Sequence, residues 1–161
     1  MNTKIIIRTI GNSDRQWIKS IFNDFWGGDI IITKGFTHSF NNLDGFIAIL
    51  NNEKVGLITY KITDKELEIV SLNSFRENKG IGSSLIDTII TLARKQKIKR
   101  VWLLTTNDNI DALRFYQKRN FTIKNIYPDA IKLSRELKQS IPLTGNYGIP
   151  IRDEIELEII L

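Results

Sequence analysis

Two stretches of the chain hold residues whose types and spacing can do chemistry. In LEIVSLNSFRENKGIGSSLI (67–86) an apolar strand runs into a short turn carrying Lys79, Gly80, Ile81 and Gly82, and a helix follows at once. Free backbone N–H groups and the positive end of a helix dipole converge on such a turn. Two glycines let an anion approach the backbone without a Cβ in the way, and Ser83 or Ser84 can add a hydroxyl donor. A pyrophosphate fits that description. The nucleoside-triphosphate loop, Gly-Lys followed by Ser or Thr, is absent because the lysine here precedes the glycine, and the dinucleotide fingerprint wants a third glycine where Leu85 stands. Taken alone, Gly-x-Gly serves equally well as a tight strand-to-helix turn.

The second stretch, NDNIDALRFYQKRNF (107–121), places Asn109, Ala112, Phe115 and Tyr116 on a helix that directly follows a buried strand. Asn109 falls at its N-terminal end, where a side-chain amide caps the helix or bonds a ligand. Phe115 suits a core, and Tyr116 an apolar-polar boundary where its phenol can donate a proton.

These two stretches have to be positioned by an alternating arrangement of strands and helices. KIIIRTI (4–10) reads as a strand, and Ser13 with Gln16 has the spacing of a capping box opening a helix to Phe25, with Trp17, Ile18, Ile21, Phe22 and Phe25 on its apolar face. The glycine-punctuated segment from Trp26 to Asp44 shows no clean period and reads as a long loop with at most one short element. GFIAIL, VGLITYKI and ELEIVSLN, joined by short polar turns, form an antiparallel meander. Leu85, Ile89, Leu92 and Ala93 follow helical spacing to Lys97, and VWLLTT (101–106) is a buried strand, so a parallel crossover joins it to the meander. After the helix 109–119 come a strand FTIKNIY, a helix from Asp129 to Gln139 with Ala130, Leu133 and Leu137 on one side, and a turn-rich loop from Pro142 to Pro150. The last segment, DEIELEIIL, alternates Ile155, Leu157, Ile159 and Leu161 with acids as a half-exposed strand does, and such a strand can pair with a second copy of the chain.

Composition narrows the chemistry. A chain of 161 residues with 42% apolar and 25% charged residues predicts a single globular domain over 1–161. It has no cysteine and one histidine, which excludes thiolate nucleophiles, disulfides and multi-histidine metal sites, so no metal is expected. The formal charge of +5 favours an anionic ligand but is too scattered for nucleic acid, and no apolar run reaches the roughly 20 residues that span a bilayer. A cytoplasmic setting is expected.

Taken together, the two motifs resemble those of the GNAT superfamily of N-acetyltransferases. That family's acetyl-CoA signature is Gln or Arg, two residues, Gly, one residue, Gly or Ala, followed further on by Asn-x-x-Ala-x-x-Phe-Tyr and a closing Gly-Phe. The chain departs in two places: Glu77 holds the first signature position with Arg76 displaced by one, and Asn120 stands for the glycine before Phe121. An acid beside a pyrophosphate is repulsive unless it turns away, whereas asparagine tolerates the left-handed backbone that the glycine supplies. The helix at 129–139 and the loop after it exceed the shortest version of the fold.

The resemblance implies an α/β fold whose central, mostly antiparallel sheet is splayed between its fourth and fifth strands and flanked by helices. It implies acetyl-CoA as cosubstrate, with its pantetheine arm in the gap between the strand ending at Leu72 and the strand 101–106. Leu72 and Ser74 are then expected along the arm, Lys79, Gly80, Ile81, Gly82, Ser83 and Ser84 at the pyrophosphate, and Asn109, Ala112 and Tyr116 on the opposite side. Backbone N–H groups near Ser71 and Leu72 are the expected oxyanion donors, Tyr116 the general acid, and Glu68, acting through a water, a candidate base. The acceptor is expected beside the loop 26–44, where Trp26, Phe36, His38 and Phe40 gather, with Trp26 and His38 as its candidate contacts and Tyr147 and Arg152 closing over the mouth. Aromatic rings with one or two polar groups favour a small-molecule amine over a protein amino group. The competing reading is a non-catalytic CoA-binding or regulatory module of the same fold.

Overall fold

The computed structural model describes residues 4–161. Along the chain come β1 (Ile6–Thr9), α1 (Arg15–Trp26), β2 (Ile30–Thr33), β3 (Phe36–Ser39), β4 (Asp44–Leu50), β5 (Glu53–Thr63) and β6 (Glu66–Ser74). After these come α2 (Ile81–Lys95), β7 (Arg100–Thr106), α3 (Ile110–Gln117), β8 (Thr122–Tyr127), α4 (Ala130–Leu137) and β9 (Glu154–Ile160). Seven strands make one sheet in the order β1-β4-β5-β6-β7-β9-β8, and β2 with β3 makes a separate hairpin. Within the large sheet β6 and β7 run parallel and the other neighbours antiparallel, because α2 carries the chain back across the sheet between them.

Each face of the sheet has its own core. On one, Ile81, Leu85 and Ile89 of α2 and Tyr116 of α3 pack on Ile58, Leu67, Ile69, Val101 and Leu157. Apolar residues at helical spacing bury one side of α2, and Arg94 and Lys95 in its last turn suit the negative end of its dipole. On the other face, Ile18 and Phe22 of α1 cover Ile47, Leu57 and Val70.

Four expectations from sequence need correcting. Ser13 and Gln16 form no capping box: a 3-10 turn (Asn12–Asp14) leads into α1, and it is closed by Asp14, whose carboxylate accepts the Gly11 N–H at 2.9 Å and is held by Arg8 at 2.7 Å and Lys54 at 2.9 Å. The segment after α1 is an ordered hairpin, pairing Ile30 with Ser39 through Thr33 with Phe36. Its turn places Lys34 (φ 48°) and Gly35 (φ 74°) in the left-handed region that two-residue hairpin loops require, and a lysine in the first of those positions hides the signal. In α4, Ile131 and Ser134 are buried while Leu133 and Leu137 face outward, because the helix docks through polar groups: Ser134 on Glu154, and Arg135 on the carbonyls of Ile141 and Ile151.

The last strand is the fourth case. Glu154, Glu156 and Glu158 are buried like Leu157 on the opposite face and are roofed by the hairpin, α4 and Arg100, whereas Ile160 is exposed. β9 has β7 on one side and β8 on the other, so it offers no edge to a partner chain.

Candidate active site

The parallel pair β6 and β7 stays in register from Glu66 with Arg100 to Ile69 with Leu103 and then separates. A β-bulge opposite Thr59 and Tyr60 leaves Val70 unpaired on β5 and turns β6 at that point. Beyond it, the facing backbone groups of 70–74 on β6 and 104–106 on β7 have lost each other as partners, which is the condition under which an extended ligand with amide groups is taken up. The parting lies between the fourth and fifth strands of the sheet order, as the family resemblance implies.

Two cavities open on this gap. One, of about 680 Å³, lies over the turn before α2 and is lined by Leu72, Ser74, Gly80 to Ser83, Ala112 and the outer side of α3. The other, of about 420 Å³, lies on the α1 side between the hairpin, α4 and β9. Leu72, Asn109, Ala112 and Tyr116 line both.

The first cavity gathers most of the residues expected at the cofactor. Gly80 is in the left-handed region (φ 71°), and a Cβ built on it meets nothing within 4 Å, so the space above it is open. Gly82 is different: its Cβ would come within 3.0 Å of the Phe115 ring, so this glycine lets α3 close on α2 as well as baring the backbone. Ser84 turns its hydroxyl back to the Gly80 carbonyl at 3.0 Å, leaving Ser83 as the hydroxyl on the cavity; neither Ser84 nor Lys79 lines it. Arg119, which sequence reasoning missed, donates to the Ser83 hydroxyl and lies 3.6 Å above the Phe115 ring. Arg114 and Lys118 join it on the lining with Glu77, and Arg76 is there too but is paired with Glu53 at 2.7 Å. Among the described residues, the cations free of an acidic partner therefore come from α3 and the turn after it, Arg114, Lys118 and Arg119, rather than from the strand-turn segment, whose Arg76 is paired.

Tyr116 stands between the cavities. Its ring is buried and fixed edge-on to Phe115 and Phe121, with centroids 5.1 and 5.3 Å apart. Burial pushes its phenol above the ordinary range, against the pull of Arg119, so the proton stays on. Asn109 caps α3 by accepting from the Ala112 N–H at 3.3 Å.

The second cavity is largely apolar, walled by Phe25, Trp26, Ile31, Ile131, Ile141 and Ile151. Trp26 lies where the sequence predicts, half-buried and tilted on Phe22 at 5.5 Å. Phe25, expected in the core, is exposed apart from its place on this wall and its contact with Phe75 at 5.8 Å. Phe36 is exposed and Phe40 is core, and neither touches the cavity. Tyr147 bonds Asp111 at 2.6 Å and Arg152 pairs with Asp153 at 2.9 Å, so the mouth is formed instead by Ser140, Ile141, Pro142 and Ile151.

Glu68 and His38 lie one layer behind the cavity wall. The Thr33 hydroxyl, which lines the cavity, donates to Glu68 at 2.6 Å and meets His38 Nε2 at 2.6 Å, so the ring nitrogen carries the proton of that second bond. Burial, with Lys61 nearby, pushes His38 down to about 4, out of the range in which a free imidazole titrates, and burial raises Glu68. The carboxylate on the wall itself is Glu154, also raised by burial. Only the alternation of the last strand hints at it, and that alternation reads as the solvent face until the hairpin is in place. Among the described residues no three His, Asp or Glu side chains form a metal-holding group, and no helix is long and apolar enough to cross a membrane.

Comparison with known proteins gives a consistent picture. The model of the acetyltransferase (GNAT) family matches residues 15–121. The uncharacterized protein YxbD of Bacillus subtilis (strain 168) is 40% identical over 145 residues, covering 89% of this chain and 91% of that one. Among solved structures, an IAA acetyltransferase from Bacillus cereus superposes with a TM-score of 0.72 at 19% identity, covering 98% of this chain and all of its own. A GNAT acetyltransferase from Elizabethkingia anophelis with acetyl-CoA bound gives 0.71 at 21% identity, covering 98% of each chain.

Proposed function

The chain belongs to the GNAT acetyltransferase family, and from that premise we propose that it moves an acetyl group from acetyl-CoA to a primary amine, both substrates being bound together. The observation that carries this reading is the meeting of two cavities at Tyr116, across strands that have parted. The residues present fit acetyl-CoA: open space over Gly80, cations on α3 and the turn after it, and backbone groups of 70–74 without partners on β7. The pyrophosphate is assigned to Gly80–Ser83 with Arg119, and the pantetheine arm to Leu72, Ser74, Asn109 and Ala112.

Acetyl-CoA supplies the activated thioester whose acyl carbon takes the amine. Freed N–H groups beside Ser71 and Leu72 stabilise negative charge on the carbonyl oxygen. Tyr116, held protonated by burial, donates its O–H proton to the departing thiolate sulfur as the C–S bond breaks, and recovers a proton from the nitrogen that has become an amide. The walls of the second cavity exclude water that would otherwise hydrolyse the thioester.

The acceptor enters the α1-side cavity, and its concave shape with Phe25 and Trp26 on the wall favours a small molecule over a protein tail. The test is a screen of amines monitored by CoA release, beside calorimetry with CoA and acetyl-CoA. Turnover of an amine supports the enzyme. Tight CoA binding with no turnover of any amine replaces it with a non-catalytic CoA-binding module, a reading that the acid Glu77 on the cofactor cavity favours.

A further inference from the structure

Glu154, Glu156 and Glu158 lie on one face of β9 and all three are buried, yet they are not equivalent. Glu156 is closed on every side: Lys34 Nζ at 2.7 Å, the Tyr127 hydroxyl at 2.5 Å, and Arg100. Glu158 has Arg100 at 2.5 Å and Lys124 at 3.6 Å. Glu154, only 3% exposed, is in no ion pair among the described residues and is the one of the three that lines the 420 Å³ cavity. Its contacts are the Lys34 backbone N–H and the Ser134 hydroxyl, both long at 3.3 Å. A carboxylate has about four acceptor sites, so half of this one is unused.

Burying a carboxylate without a cation is costly, and such a group persists where a cation arrives by another route. The cations nearby are already committed: Lys34 Nζ to Glu156, and Lys138 Nζ, on the same cavity, to the carbonyls of Trp26 and Ile30. Glu154 also pairs with Thr106 of β7, past Leu103 where β6 and β7 last meet, so it stands beside the gap. Around it the apolar Phe25, Trp26, Ile31, Ile131 and Ile151 share the lining with Thr33, Thr106, Ser134 and Lys138.

We propose that Glu154 is the acceptor-binding carboxylate: it holds the ammonium of a small primary amine with an apolar body, and accepts one proton from it. This rests on the transferase reading above and adds the substrate class and the residue that recognises it. The step is balanced: an N–H bond of the ammonium breaks, an O–H bond forms on Glu154, and the nitrogen keeps the electron pair that then bonds the acyl carbon. Burial holds the carboxyl above its usual range, which suits it to take and release that proton. Lys138 is the other charged residue on this cavity, while Lys34, whose backbone N–H meets Glu154, and Glu68, behind Thr33, lie outside its lining.

The test uses 2-phenylethylamine with the full chain and its Glu154→Gln variant, which keeps the shape and one acceptor oxygen for the Lys34 N–H, while its amide can donate to the Ser134 hydroxyl, whose own proton has the Ala130 carbonyl to go to. The expected result is a loss of about tenfold or more in kcat/KM, the usual scale for a lost charged hydrogen bond, with calorimetric acetyl-CoA affinity and melting temperature unchanged. Independently of any variant, wild type loaded with CoA should bind 2-phenylethylamine at least about tenfold more tightly than the neutral 2-phenylethanol. Equal kcat/KM in the folded variant, or equal binding of amine and alcohol, overturns the role of Glu154. Preference for a short peptide with a free N-terminus, or for spermidine, over the aromatic amine overturns the substrate class. Failure of wild type to bind acetyl-CoA is a separate outcome, which overturns the transferase reading and this inference with it.

Discussion

The two cavities that meet at Tyr116 are built on opposite plans. The cofactor side is made of main chain drawn from one short run of sequence, the turn from strand to helix, with α3 laid against it. The acceptor side is made of side chains from four distant places: the end of α1, the hairpin, α4 and β9. Its Thr33 and Ser134 are buried and hydrogen-bonded to the buried carboxylates of Glu68 and Glu154, whereas Arg114 and Lys118 of the cofactor side are exposed. A backbone cradle tolerates changes of side chain and is sensitive to charge and steric filling. A cavity of packed side chains is tuned residue by residue and depends on burial.

Tyr116 belongs to both plans, and its loss has the largest expected effect. Tyr116→Phe keeps the ring wedged between Phe115 and Phe121 and removes only the hydroxyl, so acetyl-CoA affinity should stay nearly constant while kcat falls about 10² to 10⁴-fold. Unchanged single-turnover rates would take Tyr116 out of the chemistry.

The cofactor side alone is addressed by Gly80→Asp. Gly82→Val is a poorer probe, because its side chain would strike Phe115 and disturb packing. At Gly80 the space is open, aspartate tolerates the left-handed backbone better than most residues, and it is a favourable helix N-cap. Its carboxylate opposes a phosphate: like charges about 4 Å apart near a surface cost about 4 kcal/mol before salt screening. CoA affinity should fall about a hundredfold, while the left-handed backbone at this position lowers stability by only about 1 kcal/mol. A variant that binds CoA normally would move the pyrophosphate elsewhere.

The same contrast explains what the sequence reveals. The cradle and the Asn109-to-Tyr116 helix are local, so spacing alone displays them, and the meander with its helical crossover follows from strand lengths, whereas the placing of β9 between β7 and β8 does not. Arg119 escapes notice because its role depends on α3 meeting Ser83 across the turn. On the acceptor side Trp26 is legible as an aromatic at a helix end, but Glu154 is not: its strand alternates as a surface strand does, and the covering hairpin is disguised by Lys34 in a turn position that usually takes glycine or asparagine. Glu68 and His38 are conspicuous as residue types, yet Thr33 stands between them and the cavity.

The buried plan of the acceptor side has a pH signature. His38, about 6.5 when unfolded and about 4 when folded, takes up its proton more readily in the unfolded chain, so the stability it permits is intact above pH 6.5 and lost as pH falls toward 4. At pH 5 the loss is about 2 kcal/mol. Glu68 and Glu154, raised by burial, act in the opposite sense, since the folded state then binds their protons first and gains as pH falls. The difference between wild type and His38→Gln therefore isolates the histidine. Urea unfolding from pH 7 to 5 should show wild type losing about 2 kcal/mol relative to the variant, whose amide can still donate to Thr33. Parallel pH profiles would mean that His38 is solvated, and that the floor of the acceptor cavity is as wet as the cradle.

The smallest effect distinguishes the two sides by screening alone. Arg114 and Lys118 meet solvent, and the Debye length shrinks from about 10 Å at 0.1 M salt to about 3 Å at 1 M, so their attraction for a pyrophosphate fades with added salt. Glu154 is buried behind apolar walls, where an ammonium and a carboxylate interact with little intervening electrolyte. Raising sodium chloride from about 0.05 to 0.5 M should therefore raise the KM for acetyl-CoA about three- to tenfold and that for an apolar amine less than about twofold. Both constants must be measured with the other substrate saturating, so that one affinity is read at a time. Chloride binding in the cradle itself would act in the same direction and is distinguished by repeating the series with a bulkier, weakly binding anion, which should give the same slope if screening is the cause. A parallel rise in both constants would show that electrolyte reaches Glu154, and the division between an exposed cofactor cradle and a shielded acceptor cavity would fail with it.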